Sequence, residues 1–223
     1  MSEIVLDWEA LSGMESRRRA QLVNSLSGPK PANLIATQSD EGQLNCAIIT
    51  SVVHLGSDPA LLGHVMRPPV DRSRGSHSYH NLRTTGQYTL NHVDTAWFDR
   101  AHQTSARYPD GTSEFEAVGL TPTFRCGFEA PAVEESPVRI GLEFLEEMAL
   151  PNGCRFIVGA VRWVAFKEEA WAADGALDLV QLGSAAVTGL DGYHGLQPLA
   201  RLSYAKPDRP LTRSTDFLQP PSA

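Results

Sequence analysis

The chain has 223 residues, a formal net charge of −7 and a pI of about 5.5, and 42% of its residues are hydrophobic. This length suffices for one large domain or two small ones, and the hydrophobic share suffices for a sizeable core. The acidic balance argues against a nucleic-acid or membrane-surface role, because both usually need a basic face.

The N-terminal quarter predicts one helix followed by two strands. Apolar residues from Asp7 to about Leu26 recur at helical spacing, with Asp7 as the cap and Gly28-Pro29 as the stop. The segment "ANLIATQS", residues 32–39, is short, apolar and followed by "DEG", which is typical of a strand entering a hairpin. Residues 43–55 form the predicted return strand.

The next part predicts a strand, a loop, a helix and another strand. Residues 56–59 have turn chemistry, and residues 60–66 form the strand that follows. Residues 68–76, "PPVDRSRGS", are a polar loop. We expect a short helix over residues 78–85 and a strand at "QYTLNHV", residues 87–93.

The C-terminal half predicts a second long hairpin. Residues 95–119 are expected to be helical or irregular. Val138 to Phe144 alternates as a strand does, a Pro-Asn-Gly turn follows, and residues 154–166 form a long β-rich run. The tail from Lys206 is rich in proline and polar residues, which predicts an extended or disordered arm. Strands joined by hairpins with inserted helices favour an antiparallel barrel over a parallel sheet, and no linker divides the chain, so we expect one domain over residues 1–223.

Several common catalytic motifs are missing from the sequence. It contains no G-x-G-x-x-G after a strand, no P-loop and no G-x-S-x-G, so a Rossmann fold, a P-loop enzyme and an α/β-hydrolase lack support. His77 and His80 have a spacing that could share a metal, but no H-E-x-x-H motif or nearby cysteine joins them. We therefore predict no metal site.

Three widely separated cysteines without a C-x-x-C pair suit free thiols in a reducing compartment. The acidic N-terminus lacks a long apolar core, so it resembles neither a signal peptide nor a membrane span. We expect a cytoplasmic protein that is not bound to a membrane.

Polar groups interrupt the apolar run "NCAIITSVVHLGSDPALLGHVMR", residues 45–67. In the structural interpretation, Thr50 is an ordinary strand residue, Ser51 bonds a neighbouring carbonyl, and Arg67 forms a surface ion pair. In the functional interpretation, the two hydroxyls face a bound polar ligand, and Arg67 binds its phosphate or carboxylate. The residues alone leave both interpretations open.

An ordered set of segments over about residues 20–208 resembles the flavin reductase-like, FMN-binding split-barrel family. The segments are "NSLSGPKPANLIATQSDEGQLNCAIITSVVHLGSDPALLGHVMRP", "SHSYHNLRTTGQYTLNHV", "AHQTSARYP", "SEFEAVGLTP", "ESPVRIGLEFLEE", "VTGLDGYHG" and "ARLSYAKPD". The resemblance implies a mainly β fold, a six-stranded antiparallel Greek-key split barrel with inserted and flanking α-helices. It also implies a homodimer that holds FMN near the subunit interface.

The function implied by this resemblance is transfer of electrons from NAD(P)H to flavin or a flavin-linked acceptor. The alternative is an FMN-binding electron carrier without its own NAD(P)H reductase activity; a hydrolase has little support, because no nucleophile and base are marked. The resemblance leaves open the choice between NADH and NADPH, the final acceptor, and whether FMN is tightly bound or diffuses as a substrate.

The resemblance also implies which residues bind FMN. For the flavin ring these are Asn33, Asn45, Thr50, Ser51 and Val52. For the phosphate these are Arg67, Ser76, His77, Ser78 and Asn81. The loop "PPVDRSRGSHSYHN" is longer than is usual in the family, and Ser76 stands where related sequences often have an arginine. Arg72 and Arg74 are therefore alternative cations for the phosphate.

Overall fold

The computed structural model describes residues 3–71, 76–109 and 111–221. The α-helices there are α1 (Trp8–Ser12), α2 (Ser16–Leu26), α3 (His77–Thr85), α4 (Phe98–Gln103) and α5 (Glu114–Val118), and Glu168–Ala170 is a 3-10 helix. The strands are β1 (Lys30–Pro31), β2 (Asn33–Gln38), β3 (Leu44–Ile49), β4 (Val53–Ser57), β5 (Ala60–Met66), β6 (Gln87–His92), β7 (Pro122–Thr123), β8 (Ala132–Val133), β9 (Val138–Ala149), β10 (Arg155–Phe166), β11 (Ala185–Thr188), β12 (Gly192–Gly195), β13 (Arg201–Leu202) and β14 (Arg213–Ser214). The longest of these helices has 11 residues, so none could cross a membrane.

The single helix predicted near the N-terminus is two helices. Asp7 caps α1 as predicted, since its carboxylate accepts a hydrogen bond from Ala10 N at 2.9 Å. The helix then ends at Ser12 with Gly13 as its C-cap, and the Glu15 carboxylate accepts from Arg17 N and Arg18 N in the first turn of α2. A glycine of low helix propensity followed by a new capping carboxylate explains the break.

The main sheet is antiparallel and has seven strands in the order β3-β2-β6-β9-β10-β5-β4. A mainly β antiparallel fold is confirmed, but six main strands were predicted. The extra strand arises because the predicted strand over residues 43–55 is interrupted at residues 50–52, which leaves β3 on one side and β4 on the other. These two strands lie at opposite edges of the sheet.

This interruption explains how the sheet curls into an incomplete barrel. A link of three residues, Thr50–Val52, joins the two edge strands. Four Cα-to-Cα steps span at most about 14 Å, since an extended chain covers roughly 3.3–3.6 Å per residue. The two sheet edges must therefore approach each other at this link. We call residues 50–52 the closing link.

The barrel interior is filled by apolar side chains from all sides of the sheet. Ile35, Leu90, Leu142 and Ile157 are almost fully buried there, and Leu82 of α3 reaches in from one end. Tyr88 fits in this interior because residue 159 is a glycine. A Cβ at position 159 would overlap the Tyr88 hydroxyl. The long β9–β10 hairpin predicted from the sequence supplies one wall.

The outer surface of the barrel has one covered half and one open half. Over β3, β2 and β6, the helices α4 and α5 and strand β11 form a second core, which contains Trp97, Phe115 and Val187. Over β4, β5, β10 and the end of β9, apolar side chains stay exposed or half-exposed. We call this surface the open face, and its residues are Val53, Leu55, Leu61, Val65, Phe156 and Met148.

The C-terminal residues turn back on the segment before them. Arg201–Leu202 pairs with Arg213–Ser214, and Arg201 Nη1 donates to the carbonyl of Phe217 at 3.1 Å. Arg201 also forms an ion pair with Asp174. These contacts hold the start and end of the tail together.

Candidate functional site

The start of α3 lies against strands β2 and β3 through buried polar contacts. Asn45 Nδ2 donates to Ser78 Oγ at 2.7 Å, and Asn81 Nδ2 donates to Thr37 Oγ1 at 3.1 Å. All four side chains are buried. Three predicted site residues, Asn45, Ser78 and Asn81, therefore lie together, and the amides of the two asparagines join the helix to the strands.

Ser76, the residue before α3, does not cap the helix with its side chain. It adopts the left-handed conformation, with φ of 62°, and its Oγ accepts instead from Val70 N at 3.1 Å. A helix start presents N–H groups and a partial positive charge, which favour an anion. The predicted phosphate residues Ser76, His77 and Ser78 are at this helix start.

The neighbouring edge of β3 is occupied by side chains. Cys46 N donates to the Glu114 carboxylate at 3.0 Å, and Ile48 N donates to Thr104 Oγ1 at 2.9 Å. Burial raises the pKa of Glu114, although the Cys46 N–H and the nearby His77 oppose that rise. The outward N–H groups of Cys46 and Ile48 are thus already bonded.

The closing link follows directly and differs from the strand before it. Within the described chain, the backbone N–H groups of Thr50, Ser51 and Val52 make no hydrogen bond. The Ser51 hydroxyl is engaged, because it accepts from Val65 N and donates to Val65 O, both at 3.0 Å. The contact matches the structural interpretation of Ser51, and the link offers three backbone donors.

Asn33 lies beside this link and is buried without a partner for its Nδ2 among the described residues. It is the cross-strand neighbour of Ile49 and of His92. His92 Nδ1 lies 3.0 Å from Ser184 Oγ, and burial lowers the pKa of His92 to about 4, so its ring is neutral at pH 7. An unpaired buried amide is costly, which suggests that Asn33 has a partner supplied from outside the chain.

Two arginines complete the candidate site. Arg67 is exposed and lies between Val65, which is bonded to Ser51 of the closing link, and Val70, whose N–H donates to Ser76 Oγ at the start of α3. Arg155, which the sequence analysis missed, is cross-strand to Met66 and has a buried Nε without a partner in the described ranges. Its only sequence signal is a charge at the start of an apolar run. Arg74 and Arg72, the alternative phosphate cations, lie outside the described residues.

The closing link and the start of α3 are separated along β3. Asn45, which touches α3, and Thr50 are five residues apart, or about 17 Å in an extended strand. Backbone donors at one end and an uncapped helix start at the other fit an elongated ligand with a polar ring edge and an anionic group. FMN has both features.

Metal binding and a second cavity are two other possibilities within the described chain. No group of three or more His, Cys, Asp or Glu side chains that could hold a metal ion occurs within the described ranges. A separate cavity of about 430 Å³ lies between the loop that carries Phe128 and the strands that carry Glu143 and Trp163. None of the predicted FMN-binding residues lines it.

Comparison with known proteins gives a consistent family and fold. A family model described as "Flavin reductase like domain" matches residues 26–179. A crystal structure from Shewanella frigidimarina NCIMB 400, assigned as a flavin reductase with split barrel domain, is 42% identical, with a TM-score of 0.86 over 91% of this chain and 100% of that one. The split-barrel fold is thereby confirmed.

More distant structures share the fold. The 2-nitrobenzoate 2-nitroreductase NbaA of Pseudomonas fluorescens is 20% identical, with a TM-score of 0.76 over 94% of this chain and 98% of that one. Nitrilotriacetate monooxygenase component B of Bacillus cereus is 17% identical, with a TM-score of 0.77 over 88% and 97%. An uncharacterized protein of Aquifex aeolicus (strain VF5) is 27% identical over 118 residues, which are 53% of this chain and 60% of that protein. The match thus spans less than two thirds of this curated relative.

Proposed function

Since the chain belongs to the family of flavin reductase like domains, we propose that it is an oxidoreductase that binds FMN and passes electrons from NAD(P)H to flavin or a flavin-linked acceptor. The observation that carries this proposal is the closing link. Among the described residues, its three consecutive N–H groups have no hydrogen-bond partner, and they stand beside Asn33, whose Nδ2 is buried and likewise without a partner there. Such a cluster of donors suits the acceptor atoms along the pyrimidine edge of a flavin.

The chain's own part in the reaction is binding and orientation. The closing link and Asn33 would hold the ring edge, and apolar Val52 would contact the ring itself. The start of α3, with Ser76, His77 and Ser78, would bind the phosphate together with Arg67. Bound FMN would supply the redox chemistry, because it accepts a hydride and passes electrons on. The neutral His92 and the absence of a catalytic dyad in the sequence suit hydride transfer, which needs no general base.

We also propose that the protein is a homodimer and that the second copy covers the open face. Val53, Leu55 and Met148 are 45%, 42% and 50% exposed there, although the other half of the barrel is covered by helices and β11. Contiguous apolar side chains of this kind usually mark a protein interface. The closing link leads directly into β4, so a second copy on the open face would border the FMN site.

The decisive experiment is steady-state turnover of flavin-stripped protein with NADH and with NADPH, each with and without added FMN. We expect nicotinamide oxidation that depends on FMN. Protein that binds FMN but is not reduced by either nicotinamide would instead be the electron carrier. Protein that binds no flavin at all, measured by quenching of FMN fluorescence, would overturn the proposal.

A further inference from the structure

His92 and Asn33 are neighbours on the inner surface of the barrel. The two residues are cross-strand partners, and Asn33 is also the partner of Ile49, the last residue before the closing link. Side chains alternate along a strand, so Asn33 faces the same way as Ile35, and His92 faces the same way as Leu90. Ile35 and Leu90 are both buried in the barrel interior. The imidazole of His92 and the amide of Asn33 therefore lie side by side near the closing link.

Two buried serines fix the position of His92. Ser136 Oγ donates to the backbone carbonyl of His92 at 2.7 Å, and Ser184 Oγ lies 3.0 Å from His92 Nδ1. Ser136 and Ser184 are 4% and 5% exposed. One serine thus holds the backbone of His92 and the other holds its ring, so the imidazole has a defined orientation.

The contact with Ser184 determines which ring nitrogen of His92 carries the proton. Burial lowers the pKa of His92 to about 4, so at pH 7 the ring is neutral and has one N–H and one acceptor nitrogen. Among the described residues, the Ser184 hydroxyl has no acceptor other than His92 Nδ1, and buried hydroxyls normally donate. Ser184 therefore donates to Nδ1, which places the ring proton on Nε2.

The Nε2–H group of His92 is a hydrogen-bond donor that the fold does not use. Within the described ranges, Nε2 makes no hydrogen bond, and the same is true of Nδ2 of the neighbouring Asn33. Two unused donors thus stand on adjacent inward positions next to the three backbone donors of the closing link. Acceptor atoms supplied by a ligand would pair with them.

We propose that His92 Nε2–H donates a hydrogen bond to an oxygen on the pyrimidine edge of FMN, and that Ser184 is a positioning residue that keeps the proton on Nε2. This inference rests on the proposed function and adds to it a ring contact from β6. The pyrimidine ring of a flavin gains negative charge on reduction, and hydrogen bonds to charged groups are stronger than those to neutral groups. His92 should therefore stabilise bound reduced FMN more than bound oxidised FMN.

The first test measures the affinity of the full chain for oxidised FMN and, under anaerobic conditions, for chemically reduced FMN. His92→Leu should weaken oxidised FMN about 2- to 10-fold and reduced FMN about 10- to 100-fold. His92→Gln keeps an N–H donor and should retain part of the difference. His102→Leu is the control, because His102 is exposed on α4, and it should change neither affinity. Equal weakening of both forms by His92→Leu would mean that the ring only shapes the pocket, which would overturn the inference.

The second test follows the imidazole itself by NMR of protein labelled with ¹⁵N-histidine. The nitrogen shifts of His92 should show the Nε2–H form in flavin-free protein, and the Nε2 signal should move when FMN binds. Ser184→Ala should allow both N–H forms and reduce the preference for reduced FMN, and Ser184→Thr should restore both properties. An Nδ1–H form in the wild type, or an Nε2 signal that bound FMN leaves unchanged, would overturn the role of His92 alone. Wild-type protein that binds no FMN would overturn the proposed function as well.

Discussion

Asn33 lies at the start of β2 with 2% of its surface exposed, and its Nδ2 has no partner in the described chain. A buried donor without a hydrogen bond costs about 1–3 kcal/mol, whereas an apolar residue of similar shape in the same place does not. Ordinary side-chain packing therefore gives no reason for an asparagine here. A ligand acceptor that pairs with Nδ2 would give one.

We therefore expect Asn33→Leu to affect FMN binding and stability in opposite directions. The free energy of unfolding of flavin-free protein should stay equal or rise, because an unpaired amide is removed. FMN affinity should fall about 2- to 10-fold, the value of one hydrogen bond. Urea unfolding and titration of FMN fluorescence measure the two effects. A variant that loses stability and keeps its FMN affinity would show that the amide serves the fold.

His64 is another residue whose burial has a measurable consequence. It is fully buried in the barrel, neither ring nitrogen has a partner in the described ranges, and its ring packs edge-on against Tyr88 with centroids 5.4 Å apart. Burial lowers the pKa of His64 from 6.5 to about 4. Between these pH values the unfolded chain binds more protons than the folded chain. Stability is therefore complete above about pH 6.5 and falls as the pH drops towards 4.

The loss from His64 alone should reach about 3 kcal/mol by pH 4, since one pKa unit corresponds to about 1.4 kcal/mol. Urea unfolding at several pH values measures it, and His64→Leu should flatten the slope. His54→Leu is the control, because His54 is exposed on β4. If both variants keep the wild-type slope, His64 does not carry the effect. The raised pKa of Glu114 acts in the opposite sense, so the region above about pH 5 is the most informative.

At the scale of elements, the hairpins were predictable and the closure of the barrel was not. The β9–β10 hairpin follows from local signals, namely alternation after Val138 and a Pro-Asn-Gly turn. The break at residues 50–52 has no comparable signal, because Thr50 and Val52 favour strands and a single serine between them does not mark a turn. It is imposed by closure, which brings Ser51 to Val65 and sends β4 to the far edge of the sheet.

The candidate site also has features that the sequence predicts and features that it does not predict. The polar residues near α3 were predictable, because they stand out in apolar surroundings and match the family pattern. The roles of their side chains were not, since Asn45 and Ser78 turn out to bond each other. The backbone donors of the closing link and the unpaired Arg155 Nε depend on contacts between distant strands, which no local pattern encodes.

Helix α3 provides the element-scale prediction. We expect its N-terminus to bind the phosphate of FMN together with Arg67, an exposed cation between the closing link and the start of α3. A hydrogen bond to a charged group contributes about 1.5–3 kcal/mol, so Arg67→Ala should weaken FMN binding about 10- to 100-fold. Riboflavin has the same ring and no phosphate, and its affinity should hardly change.

Variants of two further arginines serve as a control and as a test of an alternative phosphate cation. Arg83→Ala removes the same charge at the other end of α3 and should leave the preference for FMN over riboflavin intact. Arg74→Ala tests the cation of the lengthened loop. Equal weakening of FMN and riboflavin by Arg67→Ala would mean that Arg67 shapes the pocket without binding phosphate. Loss of the preference in Arg74→Ala alone would move the phosphate cation to the loop.

At the scale of the whole molecule, the two halves of the barrel surface differ in how far the chain covers them. The covered half packs on α4, α5 and β11, whose side chains form a core of their own. No such layer covers the open face within the part of the chain that the structure describes, and Met148 is half exposed. A stable dimer buries roughly 1,200–2,000 Å² in total, so a subunit contact on the open face should bury about that area.

Met148→Glu should therefore separate the dimer, because a charge in the centre of an apolar interface must be desolvated without a partner. We expect the dissociation constant, measured by light scattering across a dilution series, to rise at least about 10-fold. FMN affinity should fall in parallel, since the closing link borders the open face.

Phe124→Glu is the matched control, because Phe124 is 52% exposed on the segment that follows β7. A Met148→Glu protein that stays dimeric at the dilution where the wild type begins to dissociate would place the subunit contact on another surface. A variant that becomes monomeric and keeps full FMN affinity would show that each FMN site is complete within one chain.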